Sequence, residues 1–165
     1  MKTLVVFDSE FGNTQKIAEA IGAGLDGAEV RYVGQVQPGD LAGLDCLVVG
    51  SPTQRMNYIE GVRDFLDRIP QNGLDGVKVA AFDTRISNED MRAQVTSRIT
   101  KFVVRTMLHR FAAGPIASVL AKKGGTVVID PEGFYVAGTE GPLKDGELAR
   151  ATAWARTIAE QVAGT

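Results

Sequence analysis

The sequence predicts an α/β domain in which a parallel sheet is covered by helices on both faces. Short apolar runs, Leu4-Val5-Val6-Phe7, Cys46-Leu47-Val48-Val49 and Val79-Ala80-Ala81-Phe82, recur along the chain as buried strands would. Between them lie segments whose apolar residues are spaced like one face of a helix. Strands that alternate with helices pair in parallel, and right-handed crossovers then place helices on both sides of the sheet. A chain of 165 residues, 44% hydrophobic and 23% charged, has room for one such domain over residues 1–165.

Composition narrows the function classes. The chain has no run of about 18 apolar residues, and Met1-Lys2-Thr3 leads straight into a strand, so the expectation is a cytoplasmic protein with no membrane insertion. A net charge of −2 favours neither nucleic acid nor an anionic membrane. The lone Cys46 forms no internal disulfide and reads as a small buried hydrophobe. No catalytic side chain and no metal site is assigned.

In chain order, Leu4–Phe7 is the first strand, and a helix opens near Thr14, with Ile17, Ala18 and Ile21 on one face. Between them, Ser9-Glu10-Phe11-Gly12-Asn13-Thr14 is built like an anion site. The first turn of a helix exposes unpaired N–H groups at the positive end of its dipole. Gly12 allows close approach, while Ser9, Asn13 and Thr14 add donors. Gly22-Ala23-Gly24-Leu25-Asp26-Gly27 satisfies Gly-x-Gly-x-x-Gly, but it closes a helix and precedes a strand, the reverse of a dinucleotide site.

Ala28–Val33 alternates like an edge strand, and Gln35–Leu41 is a connection with a short helical turn. Asp45–Gly50 is apolar enough to be central, and Ile59 to Ile69 forms an amphipathic helix stopped by Pro70. The fourth strand is Val77–Phe82, the fifth Gly125–Asp130. Helices are expected from about Pro115 to Lys123 and from about Asp145 to Val162, the last with Leu148, Ala151, Ala155, Ile158 and Ala159 inward. Residues 87–114 form an additional helical segment: Ser87-Asn88-Glu89-Asp90 resembles a capping box, and Met91, Val95, Ile99, Phe102, Val103, Met107 and Phe111 recur at helical spacing up to Gly114-Pro115. With five basic and two acidic residues, it reads as a lid, a homodimer surface or a dock for an acidic partner. His109 reads as surface or interface packing.

Ser-x-x-Gly-Asn-Thr after the first strand resembles the phosphate loop of flavodoxins, which hold flavin mononucleotide (FMN), and the similarity reaches the C-terminus. The resemblance implies a doubly wound five-stranded parallel sheet of order 2-1-3-4-5, with the ligand crevice at the carboxyl ends of strands 1, 3 and 4. It implies that Ser9, Glu10, Phe11, Gly12, Asn13 and Thr14 surround the FMN phosphate. Phe11 stands where the family usually has a small hydroxyl residue, although some flavin quinone reductases carry an aromatic there. Pro52 and Thr53 match the Pro-Thr of the second loop, with Thr53 toward the ribityl or phosphate end. Gln54-Arg55-Met56 replaces the usual stacking tryptophan; Arg55 either stacks on or bonds the flavin or is a solvated surface residue, and Tyr58 is either an aromatic wall or a packing residue.

Asp83, Thr84 and Arg85 form the third loop, at the pyrimidine edge. A cation there stabilises the negatively charged reduced flavin by ~1 kcal/mol for an exposed pair. At about 59 mV per tenfold, that is roughly 40 mV. The expectation is therefore a less negative potential than in ordinary flavodoxins, and an ion pair from Arg85 to Asp83 or Asp130 is the competing role. Gly141-Pro142-Leu143 resembles the scaffold turn before the family's last helix, and Trp154 reads as packing.

Three functions compete. One is an FMN-binding electron carrier serving a redox partner protein. Another is an FMN-dependent NAD(P)H:quinone-type oxidoreductase with a small quinone-like acceptor. The third is a flavodoxin-fold module that does not bind flavin. A response-regulator receiver is excluded, because Ser51-Pro52 and Asp130-Pro131 stand where that fold needs an acidic residue and a lysine.

Overall fold

The computed structural model describes residues 1–55, 57–94 and 111–164, apart from the side chain of Gln94. The strands are β1 (Thr3–Phe7), β2 (Glu29–Tyr32), β3 (Cys46–Pro52), β4 (Lys78–Ile86), β5 (Thr126–Val127) and β6 (Glu132–Val136). The helices are α1 (Asn13–Gly24), α2 (Glu60–Arg68), α3 (Asn88–Gln94), α4 (Ala113–Lys122) and α5 (Glu147–Ala163). The parallel sheet has the expected order, β2-β1-β3-β4-β5, with β6 also paired to β4. Short 3-10 turns at Val33–Gln35 and Pro38–Leu41 fill the connection between β2 and β3.

Alternation along each strand builds two cores, because successive side chains point to opposite faces. Leu4, Val6, Leu47, Val49, Val79 and Ala81 pack with α2 and α4 on one face. Val5, Phe7, Cys46, Val48, Ala80 and Phe82 pack with α1 and α5 on the other. There Phe82, Phe134 and Trp154 meet edge to face, with centroids 6.1 to 6.4 Å apart. Cys46 is fully buried, and its thiol is pushed up to about 12 by desolvation, with Asp45 adding to the shift.

Three expectations need correction. The fifth strand is split: β5 pairs with Lys78 and Val79, and β6 with Phe82 to Ile86. Between Val79↔Val127 and Phe82↔Glu132 this position advances five residues against three in β4, so the extra chain, which includes Pro131, bulges out of the ladder. Secondly, β4 continues through Ile86, which makes Asp83, Thr84 and Arg85 strand residues. Thirdly, Leu148 is exposed, whereas Ala151, Ala155 and Ile158 are buried as expected. In addition, α4 starts at Ala113, with Pro115 in its first turn, where the missing N–H has no helical partner to lose.

Of the additional segment, α3 begins as the capping pattern suggests: Ser87 Oγ accepts the Asp90 N–H at 3.1 Å. Val95, Arg98, Ile99, Lys101, Phe102, Val103, Arg105, Met107, His109 and Arg110 lie outside the described residues.

Candidate functional site

The ends of β1, β3 and β4 frame a cleft of ≈ 320 Å³. Its first wall is the turn between β1 and α1. Gly12 is the N-cap of α1 with φ +85°, a left-handed value that lets the chain reverse from strand into helix. The N–H of Lys16 is bonded to the Gly12 carbonyl, and Gly12 has no side chain to cap Asn13, Thr14 and Gln15. The side chains of the turn are used in shaping it. Ser9 Oγ accepts the Gly12 N–H at 3.0 Å, Asn13 Nδ2 donates to the Glu140 carbonyl at 3.0 Å, and the buried Thr14 hydroxyl meets that of Thr84 at 2.8 Å. The turn thus offers its backbone amides to an anion more freely than its side chains.

Phe11 stands at the rim, 47% exposed. Glu10 accepts a hydrogen bond from the Gln54 amide, which ties the first loop to the second across the mouth of the cleft.

The second wall is Pro52 to Arg55. Gln54 and Asn57 exchange backbone hydrogen bonds at 2.9 Å each, closing a tight turn with Arg55 at its tip, exposed and at φ 45°. Thr53 donates its N–H to the Thr84 carbonyl at 2.9 Å, and its hydroxyl accepts the Ala112 N–H at 3.0 Å. Tyr58 packs against the core beside α2, the packing role of the two proposed for it. Met56 lies outside the described residues.

The third wall contains Thr84, Arg85 and Ile86. Arg85 makes the ion pair that sequence reading set against a free cation. Its Nε and Nη2 donate to the two Asp83 carboxylate oxygens at 2.5 and 2.6 Å. Asp83 does not line the cleft; it is wholly buried and also accepts the Ala113 N–H at 2.8 Å. Burial pushes its carboxyl above the ordinary range, against the opposing pull of Arg85, Ala113 and Thr53.

Val136 and Thr139 complete the lining. Sequence reading assigned neither residue to the site; they reach it because β6 pairs with β4, whose end forms the third wall.

In sequence over part of its length, and in fold over nearly all of it, the chain is similar to proteins named flavodoxin. A flavodoxin from Aquifex aeolicus is 44% identical over 57 residues, 32% of this chain and 31% of that protein's length. A solved flavodoxin from the domain Archaea superposes with a TM-score of 0.74 at 25% identity, covering 99% of both chains. The chain has the flavodoxin fold. Flavodoxin 2 from Bacillus cereus has the same fold, with a TM-score of 0.72 at 20% identity over 98% of this chain and 99% of that one. No protein-family model matches the chain. Among the described residues, no helix is long and apolar enough to cross a membrane.

Proposed function

We propose that the cleft binds FMN, with its phosphate on the first-turn amides of α1, and that the protein carries electrons between redox partners. The observation that carries this reading is the turn itself. Gly12 at φ +85° caps α1 without a side chain, while Ser9, Asn13 and Thr14 are engaged in holding the loop's shape. A phosphate there gains aligned N–H donors and the positive end of the helix dipole. The cleft leading from this point lies within the size range of small-molecule sites, about 300–1,000 Å³.

The roles follow from position. Ser9 and Gly12 set the path of the loop; Asn13 anchors it to the Glu140 carbonyl, and Thr14 to β4. Pro52 and Thr53 form the wall along the bound group, and Arg55 at its turn tip is free to stack on it or bond it. FMN supplies the electron-transfer chemistry, and the chain supplies binding, orientation and electrostatic tuning.

Titration calorimetry with FMN and riboflavin tests this. FMN is expected to bind at micromolar concentration or below, and riboflavin at least tenfold more weakly, since it lacks the group the turn recognises. Equal affinities, or no uptake of FMN, would overturn the reading. Steady-state oxidation of NAD(P)H with a quinone acceptor would instead make the protein an FMN oxidoreductase.

A further inference from the structure

The cleft wall contains a cation whose charge is cancelled from behind. The Arg85 guanidinium lies flat between two surfaces. Phe111 covers one face, with its ring centroid 3.7 Å from Cζ; on the other side is Gly133, where a Cβ would overlap the guanidinium. In this slot two of its nitrogens are fixed on Asp83 at 2.5 and 2.6 Å, and the side chain of Arg85 is only 15% exposed. A planar, bidentate pair so confined does not swing apart as a surface ion pair would.

We propose that Asp83 is a positioning residue that neutralises Arg85 in the wall of the cleft, and so sets how tightly the cleft holds reduced FMN relative to oxidised FMN. The inference rests on the FMN reading above. Reduction adds negative charge to a flavin, so its two states respond differently to any net charge in the wall. As a neutral pair, Asp83 and Arg85 withhold the stabilisation that Arg85 alone would give. The less negative potential expected from the sequence thus belongs to a protein lacking the Asp83 charge.

Asp83→Asn is nearly isosteric and keeps an oxygen for the Ala113 N–H and Arg85 Nη2, so it removes the charge together with the one bond from Arg85 Nε, which an amide nitrogen does not accept. At an effective dielectric of ~20, one uncompensated charge changes the affinity for a species with one additional negative charge by about tenfold. The polar groups that face Asp83 among the described residues are Arg85, the Thr53 hydroxyl and the Ala113 N–H. With Arg85 removed, nothing charged opposes the burial that already raises the carboxyl.

Redox titration of the FMN-loaded protein, with oxidised FMN affinity measured in parallel, tests the proposal. Asp83→Asn is expected to favour reduced over oxidised FMN about tenfold more than wild type, ~59 mV upward for one electron. Arg85→Gln is expected to fall about tenfold below wild type at alkaline pH, where Asp83 is ionised, and to converge on wild type as acid protonates it. The double variant should return to the wild-type value. An unchanged ratio in folded Asp83→Asn overturns the proposal. If that variant does not fold, an Arg85→Gln protein that tracks wild type at every pH overturns it instead. Failure of the wild type to take up FMN removes both this proposal and the FMN reading, whereas FMN uptake with an unmoved ratio removes this one alone.

Discussion

At the scale of single residues, Gly12 has the clearest conformational demand. A Cβ there would meet nothing within 4 Å, so the cost of a side chain is purely the left-handed φ of +85°. Gly12→Ala is expected to lose about 1 kcal/mol of stability in urea unfolding, and to weaken FMN binding by more than that alone would imply, because the amides behind it shift. An alanine variant with wild-type FMN affinity would remove the turn from the binding account. Asn13 shows where sequence reading reached its limit. Its place in the loop was legible from Gly-Asn-Thr ahead of a helical pattern, but its amide serves Glu140, 127 positions away, and no local pattern encodes that. Asp83 and Arg85 were closer to legible. Two residues apart, they share a face of any strand; read as loop residues, they lost that relation.

At the scale of elements, β1, β3 and α1 were readable because continuous apolar runs and a 3.6-residue period are local signals. The fifth position of the sheet was not. Asp130-Pro131 ends one apolar run, and Gly133 sits inside the next strand because Arg85 occupies the space a side chain there would need. A long-range packing requirement thus took the form of a local strand breaker. The same logic gives a prediction for β3. A Cβ on Gly50 would overlap the Phe82 ring, which already packs edge to face with Phe134 and Trp154. Gly50→Ala should therefore cost about 1–3 kcal/mol, read as a lower urea midpoint. Adding Phe82→Leu should cost less than the sum of the two single changes, since the second relieves the overlap created by the first.

At the scale of the whole molecule, ionic links join distant parts of the chain. Asp90, near the start of α3, is held by Lys144 ahead of α5 and by the Ser87 hydroxyl. The Lys144 bond, then that from Ser87, pulls the Asp90 carboxyl below its ordinary range, while Asp90 raises Lys144. A lowered carboxyl contributes stability above its unfolded pKa of ~4, and that contribution is lost as pH falls through the folded value. The raised carboxyl of Asp83 has the opposite sign and favours the folded state in acid. Urea unfolding across pH should therefore show Asp90→Asn less stable than wild type at neutral pH, and the two curves should converge below about pH 4. A constant gap at all pH values would mean that the Asp90 charge contributes nothing.

The outer side of β6 is closed by the chain itself. The Tyr135 N–H donates to Glu147 at 2.7 Å, its carbonyl accepts the Lys144 N–H at 2.9 Å, and the Gly133 carbonyl accepts from Arg150 at 2.5 Å. A stray peptide searching for a template finds these hydrogen-bonding positions along that border already taken. Concentrated solutions of this protein are thereby protected, on that flank, from the strand-by-strand stacking that seeds fibrils.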